Sequence, residues 1–89
     1  MTKIPNYERI ELAIINKLFN YGCWGKSHLL TIRLKKGIPK EDLQYVDKVL
    51  KELNKKQIVL IKKTKHGDAA FLNKNKRKEI NEITARDNF

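Results

Sequence analysis

Apolar residues recur at spacings of three and four from Tyr7 to Tyr21. Tyr7, Ile10, Ile14, Leu18 and Tyr21 form one stripe, and Leu12, Ile15 and Phe19 form a second. Such spacing stacks side chains on a helical face, so a helix is predicted over 6–20. Asn6 serves as its N-cap, and Glu8 lies in the first turn, where the helix dipole favours an acid. A helix with two apolar stripes needs cover on two sides. One cover is the core; the other is either the C-terminal segment or a second copy of the chain. Leu12, Ile15 and Phe19 therefore form a candidate homodimer surface.

Gly22-Cys23-Trp24-Gly25-Lys26 breaks the helix. Ser27 suits the N-cap of a second helix over 28–36, with Leu29, Leu30, Ile32 and Leu34 as its apolar positions and Gly37 as its stop. Pro39, Glu41 and Asp42 suit the first turn of a third helix, over 40–55. Its apolar face is Leu43, Val46, Val49, Leu50 and Leu53. Glu41, Gln44, Lys48, Lys51, Glu52 and Lys55 fall opposite, and Tyr45 lies at the margin. The period then changes. Ile58-Val59-Leu60-Ile61 is rich in β-branched residues, His66-Gly67-Asp68 is a turn signal, and Ala69-Ala70-Phe71-Leu72 follows, so a hairpin is predicted over 57–73. A last helix over 75–84 is capped by Asn73 or Asn75 and anchored by Ile80 and Ile83; Ala85 to Phe89 is read as frayed. Neither a repeat nor a long linker divides the 89 residues. The expected fold is α+β, mainly α, in one domain.

Charge narrows the function. Twenty basic against ten acidic side chains give a net charge of +10, a field that attracts polyanions such as nucleic acid or an anionic membrane surface. The excess is local: residues 26–56 carry a net +5 and residues 57–78 a net +6, while 79–89 carry −2. Abundant charge of both signs also marks hyperthermophile surfaces, but that habit does not explain a twofold basic excess. A single cysteine excludes an intramolecular disulfide and fits a reducing compartment. No apolar run approaches the roughly 18 residues of a membrane span, and Met1 to Asn6 lacks the apolar stretch of a signal peptide. A cytoplasmic, nucleoid-associated location without a membrane partner is expected.

The order helix, helix, helix, strand, strand, helix resembles the winged helix-turn-helix family, over Ser27 to Asn73. Leu34-Lys-Lys-Gly-Ile-Pro39 resembles the turn between its two characteristic helices. Val49-Leu50-Lys-Glu-Leu53-Asn-Lys-Lys-Gln-Ile58-Val59 resembles its passage from recognition helix to wing, and Lys62 to Leu72 resembles the wing. The chain departs at Lys56-Gln57-Ile58, where many members carry glycine. The nearest members are short single-domain regulators of archaea and bacteria. The resemblance implies a duplex-DNA-binding transcriptional regulator or chromatin-associated protein, with the third helix in the major groove and the wing on the backbone or in the minor groove. On that basis Gln44 pairs with adenine, and Lys40, Lys48 and Lys51, with Tyr45 beside them, reach base edges or phosphates. Lys26, Ser27 and His28 hold a phosphate at the start of the second helix, and Lys62, Lys63, Lys65 and His66 make the wing's positive tip. Glu41 and Glu52, on the outward face of the third helix, oppose this. A protein-interaction module and an RNA-binding protein stay open as other readings.

Catalytic motifs fall short. Gly22-Cys-Trp-Gly25-Lys26-Ser27 has two residues between its glycines where a phosphate-binding loop needs four. The same Gly-x-x-Gly resembles the RNA clamp of KH domains, but it carries Cys23 and Trp24 where small or basic residues are usual. Trp24 is favoured as a packing residue. Cys23 and His28 are too few for structural zinc, and Glu41 with Asp42 read as first-turn residues rather than a catalytic pair. A non-enzymatic protein with no cofactor or metal is expected.

Overall fold

The computed structural model describes residues 4–85; residues 86–89, within the stretch read above as frayed, lie outside the described residues. Helix α1 spans Tyr7–Asn20. Strand β1, Leu29–Leu30, leads directly into a four-residue helix α2, Thr31–Leu34. A 3-10 segment, Lys40–Tyr45, precedes helix α3, Val46–Lys55. Strands β2, Val59–Thr64, and β3, Gly67–Leu72, form a hairpin. A short 3-10 turn, Lys74–Lys76, opens helix α4, Arg77–Ala85. The architecture is α+β and mainly helical, with a three-stranded antiparallel sheet in the order β1-β3-β2.

Helix α1 is buried along more than one face. Ile14 and Ile15 are neighbours about 100° apart on the helix, yet both are fully buried, as are Ile10 and Leu18. α3 and β3 pack on α1, and so does α4. Of the stripe expected to meet a second copy of the chain, Ile15 belongs to the chain's own core, Leu12 is half-buried, and Phe19 sits at the α1–α4 groove with its edge against Trp24, ring centres 6.0 Å apart. Helix α4 packs beside α1, and Phe19 remains 37% exposed at the groove between them.

Two expected elements take a different form. The second helix was expected over 28–36, but Leu29 and Leu30 are extended and pair with Ala70 and Ala69. The hairpin leaves one edge of β3 with unpaired backbone groups, and these two residues satisfy it. Ser27 therefore caps no helix; the residue before α2 is Leu30, with no side-chain cap. The third helix was expected over 40–55, but its first six residues are a tighter 3-10 coil, begun by the Asp42 amide donating to the Pro39 carbonyl at 2.8 Å. In that coil residues three apart eclipse, so Asp42 and Tyr45 both turn inward. Asn6 stands at the head of α1 in left-handed geometry, φ 57°, without capping it; its side chain donates to Asp42 instead.

Two helices close by the same device. At the end of α1 the amides of Gly22 and Cys23 donate to the carbonyls of Phe19 and Leu18; at the end of α3 those of Gln57 and Ile58 donate to Asn54 and Leu53. Both are Schellman closures, which need one left-handed residue. Gly22 supplies it at φ 65° without steric cost, whereas Gln57 adopts φ 62° with a full side chain. The departure at Lys56-Gln57-Ile58 noted in the sequence falls here, with glutamine in the left-handed position. The Gln57 carbonyl accepts from Asn73 Nδ2 at 2.7 Å, and the Asn73 amide donates to the Ile58 carbonyl at 3.0 Å, so the strained residue is held from two sides. Asn73 also accepts from the Asn75 amide, which makes it the cap ahead of α4.

Replacing Gln57 with Gly should relieve the left-handed strain and raise stability by about 0.5–1 kcal/mol, after allowance for the extra freedom glycine brings to the unfolded chain. The unfolding midpoint in urea should move up with an unchanged slope; an unchanged or lower midpoint would mean that the side chain contributes more than its backbone geometry costs.

Candidate nucleic-acid interface

The basic residues singled out by the sequence lie on three separate segments. Lys62, Lys63, Lys65 and His66 are all exposed on the hairpin. Its turn is Lys65–His66, one residue earlier than the expected His66-Gly67-Asp68. The Thr64 hydroxyl organises it, donating to the Gly67 carbonyl at 2.7 Å and accepting from the His66 amide at 3.1 Å. Gly67, at φ 116°, permits the tight return. Side chains alternate across a strand, and this divides the lysines. Lys63 follows Ile61 on the face toward α3, whereas Lys62 follows Leu60 onto the opposite face and lies over the Phe71 ring at 5.9 Å. Only Lys65 and His66 occupy the tip itself.

Lys48 and Lys51, one helical turn apart, are exposed on α3 and line a groove between that helix and the sheet. Ile61 forms part of its wall, and Asp47 and Asp68 also line it. Asp68 is the strand partner of Lys63. The groove beside α3 is thus mixed in sign.

Lys40, Gln44 and Tyr45 do not share the α3 face, because they belong to the 3-10 segment. The Gln44 amide donates to the Glu41 carbonyl at 3.5 Å, and Tyr45 is half-buried against the core. Lys26, Ser27 and His28 are exposed in the loop before β1. They head a strand rather than a helix, so the helix-terminus phosphate site expected there has no helix behind it. Cys23 is buried in the core, where burial pushes its thiol above the ordinary range, and its carbonyl accepts from the Leu72 amide at 2.7 Å.

The sequence placed Glu41 and Glu52 on the outward face of the third helix and read Asp42 as a first-turn acid. Asp42 is instead buried, 1% exposed, and accepts from Arg9 Nε at 2.9 Å while Arg9 Nη2 lies 2.7 Å away. Glu41 lies 3.5 Å from the same guanidinium, and Asp47 lies 3.5 Å from Lys35. The exposed pairs contribute little to stability, but they cancel much of the repulsion a phosphate would meet from those acids. The signal for Arg9 was available: it lies two positions beyond Tyr7, off the apolar stripe, at the end of α1 that meets Asp42. A second structural cation is Lys17, whose ammonium donates to the carbonyls of Arg33 and Lys36 at 2.9 and 2.8 Å, a favourable place for a cation beyond a helix C-terminus.

Arg9 is half-exposed whereas Asp42 is enclosed, so the two halves of the clamp are unequal. Replacing Arg9 with Met leaves a buried carboxylate without its cation and should cost about 3 kcal/mol. Asp42→Asn keeps the shape and leaves a solvated guanidinium, at about 1 kcal/mol. Urea unfolding of both variants checks the order; the reverse order would show that Arg9 does not compensate the buried charge.

No helix among the described residues is long and apolar enough to cross a membrane. Comparison with protein-family models, curated proteins and solved structures finds no match.

Proposed function

We propose that the chain is a winged helix-turn-helix protein that binds nucleic acid, with duplex DNA as its partner, and acts as a transcriptional regulator or chromatin-associated protein rather than as an enzyme. The observation that carries this reading is the hairpin: Lys62, Lys63, Lys65 and His66 are all exposed on a two-stranded projection beside α3. Among the described residues, an α+β arrangement of four helices and a three-stranded antiparallel sheet is compatible with that family, although β1 was no part of the order read from the sequence. In this reading Lys63, Lys65 and His66 contact the phosphate backbone, and Lys48 and Lys51 approach the groove. Asp47 and Asp68 beside those lysines weaken the α3 groove as a phosphate site and leave the hairpin as the main backbone contact, and the engagement of Gln44 with its own segment disfavours base reading.

A second reading has its own support. Ile32 is 69% exposed on α2 and lines, with Leu43, an open cleft of about 630 Å³ between α2 and the 3-10 segment. An exposed apolar residue beside a cleft of that size suits a protein partner, so an assembly module is the alternative.

Binding to a duplex should fall steeply between about 50 and 200 mM salt, with a log–log slope near −0.9 per phosphate neutralised. Lys63→Ala with Lys65→Ala should weaken binding to all duplex sequences alike and reduce the slope by about 2. Competition with duplex RNA separates the two nucleic acids. Undetectable duplex binding at low salt would reject the proposal, and retained Ile32-dependent capture of a protein partner would favour the alternative.

A further inference from the structure

The sheet has a second face, and its chemistry differs from that of the α3 groove. Val59, Ala70, Leu72 and Leu29 turn into the core. The alternate positions, Leu60 and Lys62 on β2 and Phe71 opposite Leu60 on β3, point the other way. There Phe71, Leu60 and Trp24 line a cleft of about 430 Å³ between the loop at Gly25 and the turn at Lys74. Both aromatic rings are half-buried, so each keeps an accessible part. Gly25, on the loop side of the cleft, adopts a φ of 119°, a conformation that favours glycine.

Cations surround this cleft. Lys26 and Lys74 are among its lining residues, Lys62 lies over the Phe71 ring, and the Arg77 guanidinium lies 4.3 Å above the Trp24 ring. All four are exposed, and none makes an ion pair among the described residues. No carboxylate lines the cleft. This is the point of contrast with the groove beside α3, which contains Asp47 and Asp68.

We propose that this outer face of the sheet is a binding site for an unpaired nucleotide of single-stranded nucleic acid, with a base stacked at Phe71 and Trp24 and its flanking phosphates held by Lys26, Lys62, Lys74 and Arg77. Aromatic rings bordered by cations bind single strands because every base offers a π-face, whereas a duplex keeps those faces stacked on one another. The two cation–π contacts already occupy the ring faces weakly. An incoming base takes the place of the Lys62 ammonium over Phe71, and the lysine is freed for a phosphate beside it. A simple acidic peptide offers the charge without the flat ring. The site is independent of the duplex reading, since it uses the opposite face of the hairpin.

Trp24 is the only tryptophan in the chain, so its emission reports on this cleft directly. Titration with a short oligothymidylate should quench that emission and give about tenfold tighter binding than an abasic oligonucleotide with the same number of phosphates. Phe71→Leu should remove that preference while leaving abasic binding unchanged. Lys26→Ala with Lys74→Ala, both exposed and outside the core, should weaken both ligands and keep the preference, and so tests the site even if the Phe71 variant folds poorly. Lys63→Ala with Lys65→Ala should affect duplex binding and leave the oligothymidylate preference intact, so the two readings can fail separately. Equal affinity for oligothymidylate and its abasic counterpart, a preference that survives in folded Phe71→Leu, or quenching by an oligoglutamate but not by oligothymidylate would overturn the proposal.

Discussion

Helix α1 is buried over a broad arc, with Glu8, Arg9 and Ala13 left toward solvent, and the rest of the molecule is arranged by that fact. Adjacent isoleucines at 14 and 15 cannot both be dry unless packing covers an arc wider than the roughly 100° between them, and α3, the sheet and α4 together supply it. Polar residues of α1 then act as tethers. Arg9 reaches the 3-10 segment at Asp42, Lys17 reaches the carbonyls beyond α2, and Tyr7 receives the Lys56 ammonium at the end of α3. The Lys17 tether reaches an element with little of its own to bury, since Leu34 is the one buried residue of α2. Four residues do not hold a helix in water, and α2 is positioned by β1 before it and by Lys17 behind its last turn.

What was legible in the sequence was legible through periodicity. The three- and four-residue spacing of α1, the Val46 to Leu53 face of α3 and the β-branched run at 58–61 each encode their element locally. What was not legible depends on contacts distant in the chain. Ser27 and the leucines after it have the local form of a helix start, yet Leu29 and Leu30 pair with residues some forty positions away. A local reading has no access to the unpaired edge of β3 that makes extension favourable. The same holds for Asp42: next to Pro39 and Glu41 it has the pattern of a first-turn acid, and only the arrival of Arg9 from α1 makes burial of its charge tolerable. Gln57 is the reverse case. The sequence places glutamine there, and the backbone takes the left-handed form regardless, because the Leu53–Ile58 closure and the Asn73 bonds outweigh its cost.

The candidate site was legible as charge but not as surface. A run of lysines on a strand looks like one basic patch in a linear count, whereas pleating sends Lys62 and Lys63 to opposite faces. Residues placed together on a helical wheel were likewise divided, since Lys40 and Gln44 lie on a coil of different pitch from Lys48 and Lys51. The net positive charge of the chain is therefore distributed over two faces of different character, one mixed in sign beside α3 and one aromatic and free of acids on the outer sheet.

The closure at Gln57 has a mechanical consequence. Because Asn73 bonds both the Gln57 and the Ile58 carbonyls, the base of the hairpin is fastened to the last turn of α3 with no slack residue between them. Helix and hairpin form a caliper of set opening. The groove between α3 and the hairpin therefore has two walls that are joined at their base by the same asparagine, so a displacement of one wall is passed to the other there.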